Sequence, residues 1–375
     1  MFDFRMSIPT EIVFGKGEVR NVGTLMKRQA DNILMLYGSE RIFRCGTGDT
    51  IVSELKEAGC EVTLYGGVPA NSDSQFVDKA IKTARENKIN GILAVGGGSV
   101  IDTAKAISAG FSAEGDIMDV FSTLRTGSEV LPIGVVVTVP ATGSEANEVA
   151  VISEHETHRK IMAPLPQCKP KFAILDPELT LSVPPHQTAV GGFDIFSHAF
   201  ERYFDLRRQS RLLDEMTLAL MRTVADCLPE LVKDPENIDL RSEIMFAATV
   251  AHSDMLGPGG DFGCHGLSHV VTEVYGTSHG GALAMLVPAW CGVMYHHEPG
   301  RFESFFEGVF GTGDVTEGFK KLEAFVESIG LPLDMGGELD PEMMTELTMK
   351  TGGQIGSGFR IMTEEEIRSV YETIK

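Results

Sequence analysis

The sequence is short of positive charge. Its 32 lysines and arginines face 53 acids over 375 residues, a formal net charge of −21. Such a balance repels a phosphate backbone and sets nucleic-acid binding aside. Any anionic ligand must be held by local geometry, such as backbone N–H groups. Cysteines are few, and Cys45, Cys60, Cys168, Cys227, Cys264 and Cys291 form no Cys-x-x-Cys pair. That excludes a disulfide framework and a structural zinc knuckle, and fits a reducing cytosol. No uncharged apolar run approaches the ~18 residues a membrane span needs. Met1–Arg5 carries no basic flank before an apolar core, so no signal peptide is expected. The expectation is a cytoplasmic protein with neither a nucleic-acid nor a membrane partner. What is present is a folded composition, 43% hydrophobic and 23% charged, unlike that of a disordered chain. The length suggests two domains, at roughly 100–200 residues each.

The first half alternates short apolar runs with helix-length segments. Runs at Asn32–Tyr37, Glu61–Tyr65, Gly91–Val95 and Gly134–Val139 end in glycine or proline, as buried strands do. Between them, Arg41–Ala58 and Ser74–Glu86 read as helices. Such alternation predicts a mostly parallel sheet covered by helices. Pro184-Pro185 interrupts the pattern, and long helical periodicity follows at Phe193–Phe204, Leu212–Cys227 and Val315–Ile329. The predicted fold class is α/β plus all-α, with an α/β dinucleotide-binding domain over 1–180 and an α-helical domain over 181–375. Gly336–Gly337 and Gly352–Gly353 read as helix punctuation.

The strongest local signal is Gly96-Gly97-Gly98-Ser99-Val100-Ile101-Asp102-Thr103-Ala104-Lys105, which follows the run Ile92–Val95 and opens a helix. Glycines let backbone approach a ligand closely. The free N–H groups of the first helical turn, with the helix dipole, then favour an anion such as a pyrophosphate. One or two glycines would fit a plain strand-to-helix turn equally well; three with a serine at a strand end favour phosphate. Thr138–Asn147 follows a second buried strand and offers hydroxyls and a carboxamide, with Ser144 also able to serve as a helix cap. For the nucleotide, NAD-preferring folds usually place an acid after a strand. Here Asn32–Tyr37 is followed by Gly38-Ser39-Glu40-Arg41, with Arg44 one turn on. Gly38 and Ser39 tolerate a 2′-phosphate better than a carboxylate would, although Glu40 argues the other way. The pattern favours NADP(H), with NAD(H) the alternative.

In the helical half, Asp194 and His198 stand at i and i+4, as do His265 and His269, and His279 opens a further helix. Each i, i+4 pair lies on one helix face. An aspartate with imidazoles binds Fe(II) or Zn(II). The neighbours Phe193, Ile195, Phe196, Phe200 and Leu267 are apolar, so an ionised Asp194 needs a partner or a metal. A single buried histidine is usually a core residue. Two such pairs plus a third histidine are harder to dismiss, but spacing leaves open whether His265 or His269 is the ligand. His252, His296 and His297 read as surface or packing residues, and His155 and His158 as solvated loop residues.

With these motifs in this order the chain resembles the iron-containing (group III) alcohol dehydrogenases, most closely their NADPH-dependent butanol dehydrogenases and aldehyde reductases. The likeness runs from Ile12–Gly17 through Gly96–Lys105, Thr138–Asn147, Asp194–His198, His265–His269 and His279-Gly280 to Gly330-Leu331-Pro332. It implies a Rossmann-like nucleotide domain and a helical metal domain, the dehydroquinate synthase-like fold, with a homodimer as the assembly. It also implies Asp194, His198, His265 and His279 as metal ligands, leaving His269 beside the metal as a catalytic residue near the substrate. Gly97, Gly98 and Ser99 would hold the pyrophosphate. Asp102, also a candidate catalytic residue, would line the nicotinamide end with Thr138 and Thr142. Asn147, Lys160 and Leu179 would complete the cofactor pocket, and Gly38 and Ser39 stand where NAD-preferring members carry an aspartate. The family's Asn-Pro pair is absent, because Asn71 is followed by Ser72.

The implied activity is hydride transfer between a nicotinamide and a small to medium-chain aldehyde or primary alcohol. The metal would serve as Lewis acid, and water, a ribose hydroxyl or His269 (unperturbed imidazole pKa near ~6.5) as the proton route. Two alternatives belong to other classes. A metal-dependent lyase of the dehydroquinate synthase type needs basic residues for a carboxylated, phosphorylated substrate, whereas the metal motifs here are flanked by Phe193, Phe196, Phe262 and Val270. A non-catalytic nucleotide- or metal-binding protein would not need the full ligand set.

Overall fold

The computed structural model describes residues 3–4, 6–154, 159–208, 210–351 and 353–375. His155, His158 and Gly352 therefore lie outside the described residues. The chain divides into two compact units, Ser7–Ser182 and Val183–Lys375 together with Met1–Met6.

The first unit contains β1 (Glu11–Phe14), α1 (Val22–Lys27), β2 (Asn32–Tyr37), α2 (Arg41–Arg44), α3 (Thr47–Glu57), β3 (Glu61–Tyr65), α4 (Ser74–Glu86), β4 (Gly91–Gly96), α5 (Gly98–Gly110), α6 (Ile117–Thr123), β5 (Ile133–Val137), β6 (Val149–Glu154), β7 (Arg159–Pro164) and β8 (Phe172–Leu175). Six strands form one parallel sheet in the order β1-β8-β5-β4-β2-β3. The inner strands are runs of Val, Ile, Leu and Ala buried on both faces, as expected of a sheet covered on both sides. The chain runs outward from β2 to β3, then returns to the other side of β2 as β4. That reversal is where doubly wound sheets open a ligand crevice beyond their carboxyl ends. The loops after β2, β4 and β5 are thereby neighbours.

Two local expectations differ. Arg41–Ala58 is two helices, because Gly46 is left-handed (φ 82°) and breaks the backbone at a position glycine tolerates. The segment after Asn147 forms an antiparallel hairpin, β6–β7, outside the main sheet. Strands β1 and β8 are equally unannounced by the apolar runs of the sequence.

The second unit is helical: α7 (Pro185–Tyr203), α8 (Arg211–Lys233), α9 (Ile238–Ala251), α10 (Gly263–Tyr275), α11 (His279–Met294), α12 (Pro299–Phe310), α13 (Val315–Ser328), α14 (Pro341–Thr351) and α15 (Glu364–Thr373). Its core is aromatic. Phe193, Phe196, Phe200, Phe204, Phe302 and Phe305 are fully buried, with Trp290 stacked edge-on against Phe200 and Phe204. No helix among the described residues is long and apolar enough to cross a membrane.

Candidate functional site

The glycine loop begins where β4 ends. Gly97 takes the cap position of α5 in an extended conformation and Gly98 is its first residue. A Cβ on Gly98 would lie 2.6 Å from Thr142 Oγ1, and one on Gly97 3.1 Å from the Val139 carbonyl. The glycine loop and the Thr138–Asn147 loop thus touch through glycine, and the Thr138 N–H donates to the Gly96 carbonyl at 3.0 Å. Gly98→Ala is therefore expected to displace Thr142 and raise the KM for the nicotinamide cofactor roughly tenfold or more. Unchanged cofactor KM in steady-state assays would refute this.

Ser99 Oγ donates to the Ala70 carbonyl. Ser72, which stands where the family pattern has proline, is buried and shares a 2.8 Å hydrogen bond with Thr103 of α5. It anchors the loop that proline would otherwise stiffen. Gly38 follows β2, and a Cβ there would meet only the Val68 carbonyl and Val100 at 3.8 and 3.9 Å. Glu40 accepts a 2.9 Å hydrogen bond from the Tyr37 hydroxyl, and Arg41 donates to the Ser182 carbonyl.

Behind the loop lies a charged group whose burial the sequence does not announce. Lys105 is fully buried and donates to Ser144 Oγ (2.7 Å), Asn147 Oδ1 (3.1 Å) and the Val149 carbonyl (2.7 Å). Ser144 in turn donates to Asp102 Oδ1 at 2.6 Å, and the Val151 N–H donates to Asp102 Oδ2 at 3.1 Å. Burial pushes Lys105 down to about 8, against the pull of Asp102 and Glu145. Burial likewise raises Asp102, with Lys105 and Ser144 opposing it. Ser144 is thus the hinge of an Asp102–Lys105 pair rather than a helix cap. Asn147 turns its amide inward, since Oδ1 also accepts from Val149 N and Nδ2 donates to the Gly143 carbonyl. Lys160 is exposed on β7 and acts on Asp102 by its charge. Leu179 packs against the core of the unit.

In the helical unit Asp194, His198 and His265 are buried and offer ligand atoms all within 4.8 Å of one another. Asp194 Oδ1 is the hub. It lies 3.5 Å from His198 Nδ1, 3.6 Å from His265 Nε2 and 3.5 Å from His279 Nε2. Burial alone would raise the Asp194 carboxyl, but the imidazoles of His198, His265 and His279 outweigh it and hold it well below the usual carboxylate range. Burial presses His198 down to about 3, although Asp194 pulls the other way. Burial also presses on His265, but Glu201 and Asp194 prevail and hold it up at about 10.

The rings are tied from behind. His198 Nδ1 donates to the Asp194 carbonyl at 2.9 Å. The Ser268 hydroxyl donates to the His265 carbonyl, so it accepts from His279 Nδ1 at 3.2 Å. His265 Nδ1 meets the Glu201 carboxylate. His265 and His279 therefore turn Nε2 toward Asp194. Among the described residues the buried atoms Asp194 Oδ1 and His265 Nε2 of this cluster have no hydrogen-bond partner. Unpartnered buried donors and acceptors demand an explanation, and a divalent cation satisfies both at once.

The family model for iron-containing alcohol dehydrogenase matches residues 9–177, and that for the C-terminal part of the Fe-containing family matches 188–374. The chain belongs to the iron-containing alcohol dehydrogenase family. Like other iron-containing alcohol dehydrogenases it joins a Rossmann-like unit to a helical one. It is an alcohol dehydrogenase oxidoreductase whose family works with a nicotinamide cofactor and a divalent metal. It is 37% identical to the probable NADH-dependent butanol dehydrogenase 2 of Bacillus subtilis, covering 99% of both chains. It is 32% identical to the NADPH-dependent aldehyde reductase YqhD of Escherichia coli, covering 100% of both. The crystal structure of an NADH-dependent butanol dehydrogenase A from Thermotoga maritima superposes with a TM-score of 0.93 at 30% identity, over 100% of this chain and 99% of that one.

Within this iron-containing alcohol dehydrogenase, His269 half-faces solvent and stacks on His279 with centroids 5.8 Å apart. His252, read from the sequence as a surface or packing residue, stacks on His198 at 4.1 Å. Phe193 and Phe196, read as flanking the metal, instead face Phe325 and Phe305 in the core. Phe262 does stand at the cluster, 5.8 Å from the His265 ring and in a left-handed conformation (φ 54°). Glu201 and Lys105 are the residues that sequence reasoning missed. Glu201 carried a signal, being one turn beyond His198 on α7; Lys105 carried none.

Proposed function

We propose that the protein is an NADP(H)-linked reductase of small to medium-chain aldehydes, working in reverse on primary alcohols. Asp194, His198, His265 and His279 would hold its metal. The observation that carries this reading is the single carboxylate oxygen of Asp194 facing three imidazoles within 3.6 Å. One carboxylate with three imidazoles suits Fe(II) and Zn(II) alike. When bound, the ion supplies Lewis-acid stabilisation of charge on the carbonyl oxygen, and the nicotinamide supplies hydride.

The chain's own residues do the rest. Gly97, Gly98 and Ser99 offer the N–H groups and dipole of the α5 N-terminus to the pyrophosphate. Asp102, Thr138 and Thr142 line the nicotinamide end, with Lys160 and Leu179 at its margins, and Asn147 acts through Lys105. His269, stacked on one of the metal-holding rings, passes a proton between the substrate oxygen and solvent.

For the cofactor, the named relatives divide between NADH and NADPH. The local chemistry favours NADP(H). The acid after β2, Glu40, is engaged by Tyr37, so no carboxylate at Gly38 or Ser39 repels a 2′-phosphate. Adding NADPH and butanal to the metal-loaded protein should make the reduced-nicotinamide absorbance decay, with kcat/KM at least about tenfold above that for NADH. Ser39→Asp should reverse the preference, since a like charge worth ~1.4 kcal/mol is a tenfold change. A wild-type preference for NADH sinks the NADP(H) reading. Silence with both cofactors in the metal-loaded protein sinks the reductase reading.

A further inference from the structure

Glu201 is 1% exposed on α7 and is not one of the four residues proposed to hold the metal. Its carboxylate is nonetheless fully engaged. Oε1 accepts the Cys264 N–H at 2.6 Å and the His265 N–H at 3.3 Å. Oε2 meets His265 Nδ1. The first two bonds satisfy donors at the start of α10, which otherwise lack partners. The third bears on the ring itself. A carboxylate only accepts, so it keeps a proton on His265 Nδ1 and leaves Nε2, 3.6 Å from Asp194 Oδ1, as the nitrogen that a cation would take.

We propose that Glu201 is a positioning residue for the metal, a buried carboxylate that sets the tautomer and angle of His265 while capping the helix that carries it. The proposal rests on the metal reading above and goes beyond it, because Glu201 is no ligand. Outer carboxylates that orient a ligating imidazole typically contribute ~10–100-fold to metal affinity.

Two neighbouring contacts make the idea separable from simple helix capping. Asp261 also serves the start of α10, accepting the Gly263 N–H at 3.2 Å, and binds the Ser357, Gly358 and Phe359 N–H groups at 3.0, 2.8 and 2.7 Å. Among the described contacts it does not touch His265. Glu201→Gln keeps one oxygen for the two backbone N–H groups but replaces the other with an amino group. That group donates to Nδ1 and forces the ring proton onto Nε2, the nitrogen that must face the ion.

The experiment measures Zn²⁺ and Co²⁺ affinity of the metal-stripped full chain by chelator competition, with the Co²⁺ visible spectrum and the melting temperature of the stripped protein alongside. Glu201→Gln is expected to weaken metal binding ~10–100-fold and alter the Co²⁺ spectrum, while Asp261→Asn lowers the melting temperature with little change in affinity. Glu201→Asp keeps a carboxylate one methylene further from the ring. It should fall between wild type and Glu201→Gln, and it carries the same test should the amide variant fail to fold. Wild-type affinity in whichever of the two folds overturns the proposal. So does an affinity loss in Asp261→Asn equal to that of the Glu201 variant, since Glu201 would then be a cap only. Metal retention by Asp194→Ala or His198→Ala would instead overturn the underlying site. Loss in those two with wild-type binding in Glu201→Gln would overturn the positioning role alone.

Discussion

Asp194→Ala protein is expected to fold, to bind NADPH as wild type does, and to retain no metal through purification. Turnover of butanal should fall by several orders of magnitude. The reason is the hub geometry. Three imidazoles surround one oxygen at 3.5–3.6 Å, and that oxygen brings the only negative charge among the four proposed ligands. A divalent ion stripped of water in a buried site needs that charge far more than it needs any one neutral ring. The loss in affinity should thus exceed the ~10–100-fold expected of an outer hydrogen-bond partner. Folding can be followed separately, because the one tryptophan of the chain, Trp290, lies buried on α11, the helix that opens with His279. Metal analysis alongside tryptophan emission decides the matter. A metal-replete, active Asp194→Ala protein would remove the site from consideration.

The second large effect belongs to the nucleotide unit. Lys105→Met is expected to destabilise that unit by about 3–5 kcal/mol, the usual consequence of removing one partner from a buried charged network. Ser144, Asn147 and the Val149 carbonyl lose a shared donor, and Asp102 loses its compensating cation. The pH dependence has a definite sign. In the unfolded chain Lys105 titrates near its ordinary value of 10.5, and in the folded protein near 8. Between those limits the unfolded state binds more protons, so stability rises with pH across the window. The penalty for burying the ammonium is complete below about 8 and disappears above 10.5. Urea unfolding of wild type and Lys105→Met, compared at pH 8 and pH 10 by far-ultraviolet circular dichroism, isolates this contribution. Equal pH responses in the two proteins would show that Lys105 stays charged throughout.

What the sequence made legible follows from the range of the forces involved. The inner strands β2 and β4 are contiguous apolar runs, and β2 needs no tertiary context to be bounded correctly. Asp194 and His198 were legible for the same reason, since a helix repeat places them on one face. The hairpin β6–β7, by contrast, stands outside the main sheet, and its placement depends on distant partners such as the Ser72 carbonyl, which accepts the Ser153 N–H. Lys105 reads as an ordinary helix residue until acceptors some 40 positions away close around it. Glu201 gains its meaning from Cys264 and His265, more than 60 residues on. Gly46 split a helix that periodicity alone would have kept whole, because the pattern records faces and not backbone handedness.

Among the described residues strand β1 pairs with β8 alone, and the Thr10 hydroxyl donates to the carbonyl of Pro170, 160 residues later. During synthesis at roughly 5–20 residues per second, β1 waits about 8–30 s for β8 to emerge. Sheet closure in this unit is therefore a late event governed by chain length rather than by local propensity.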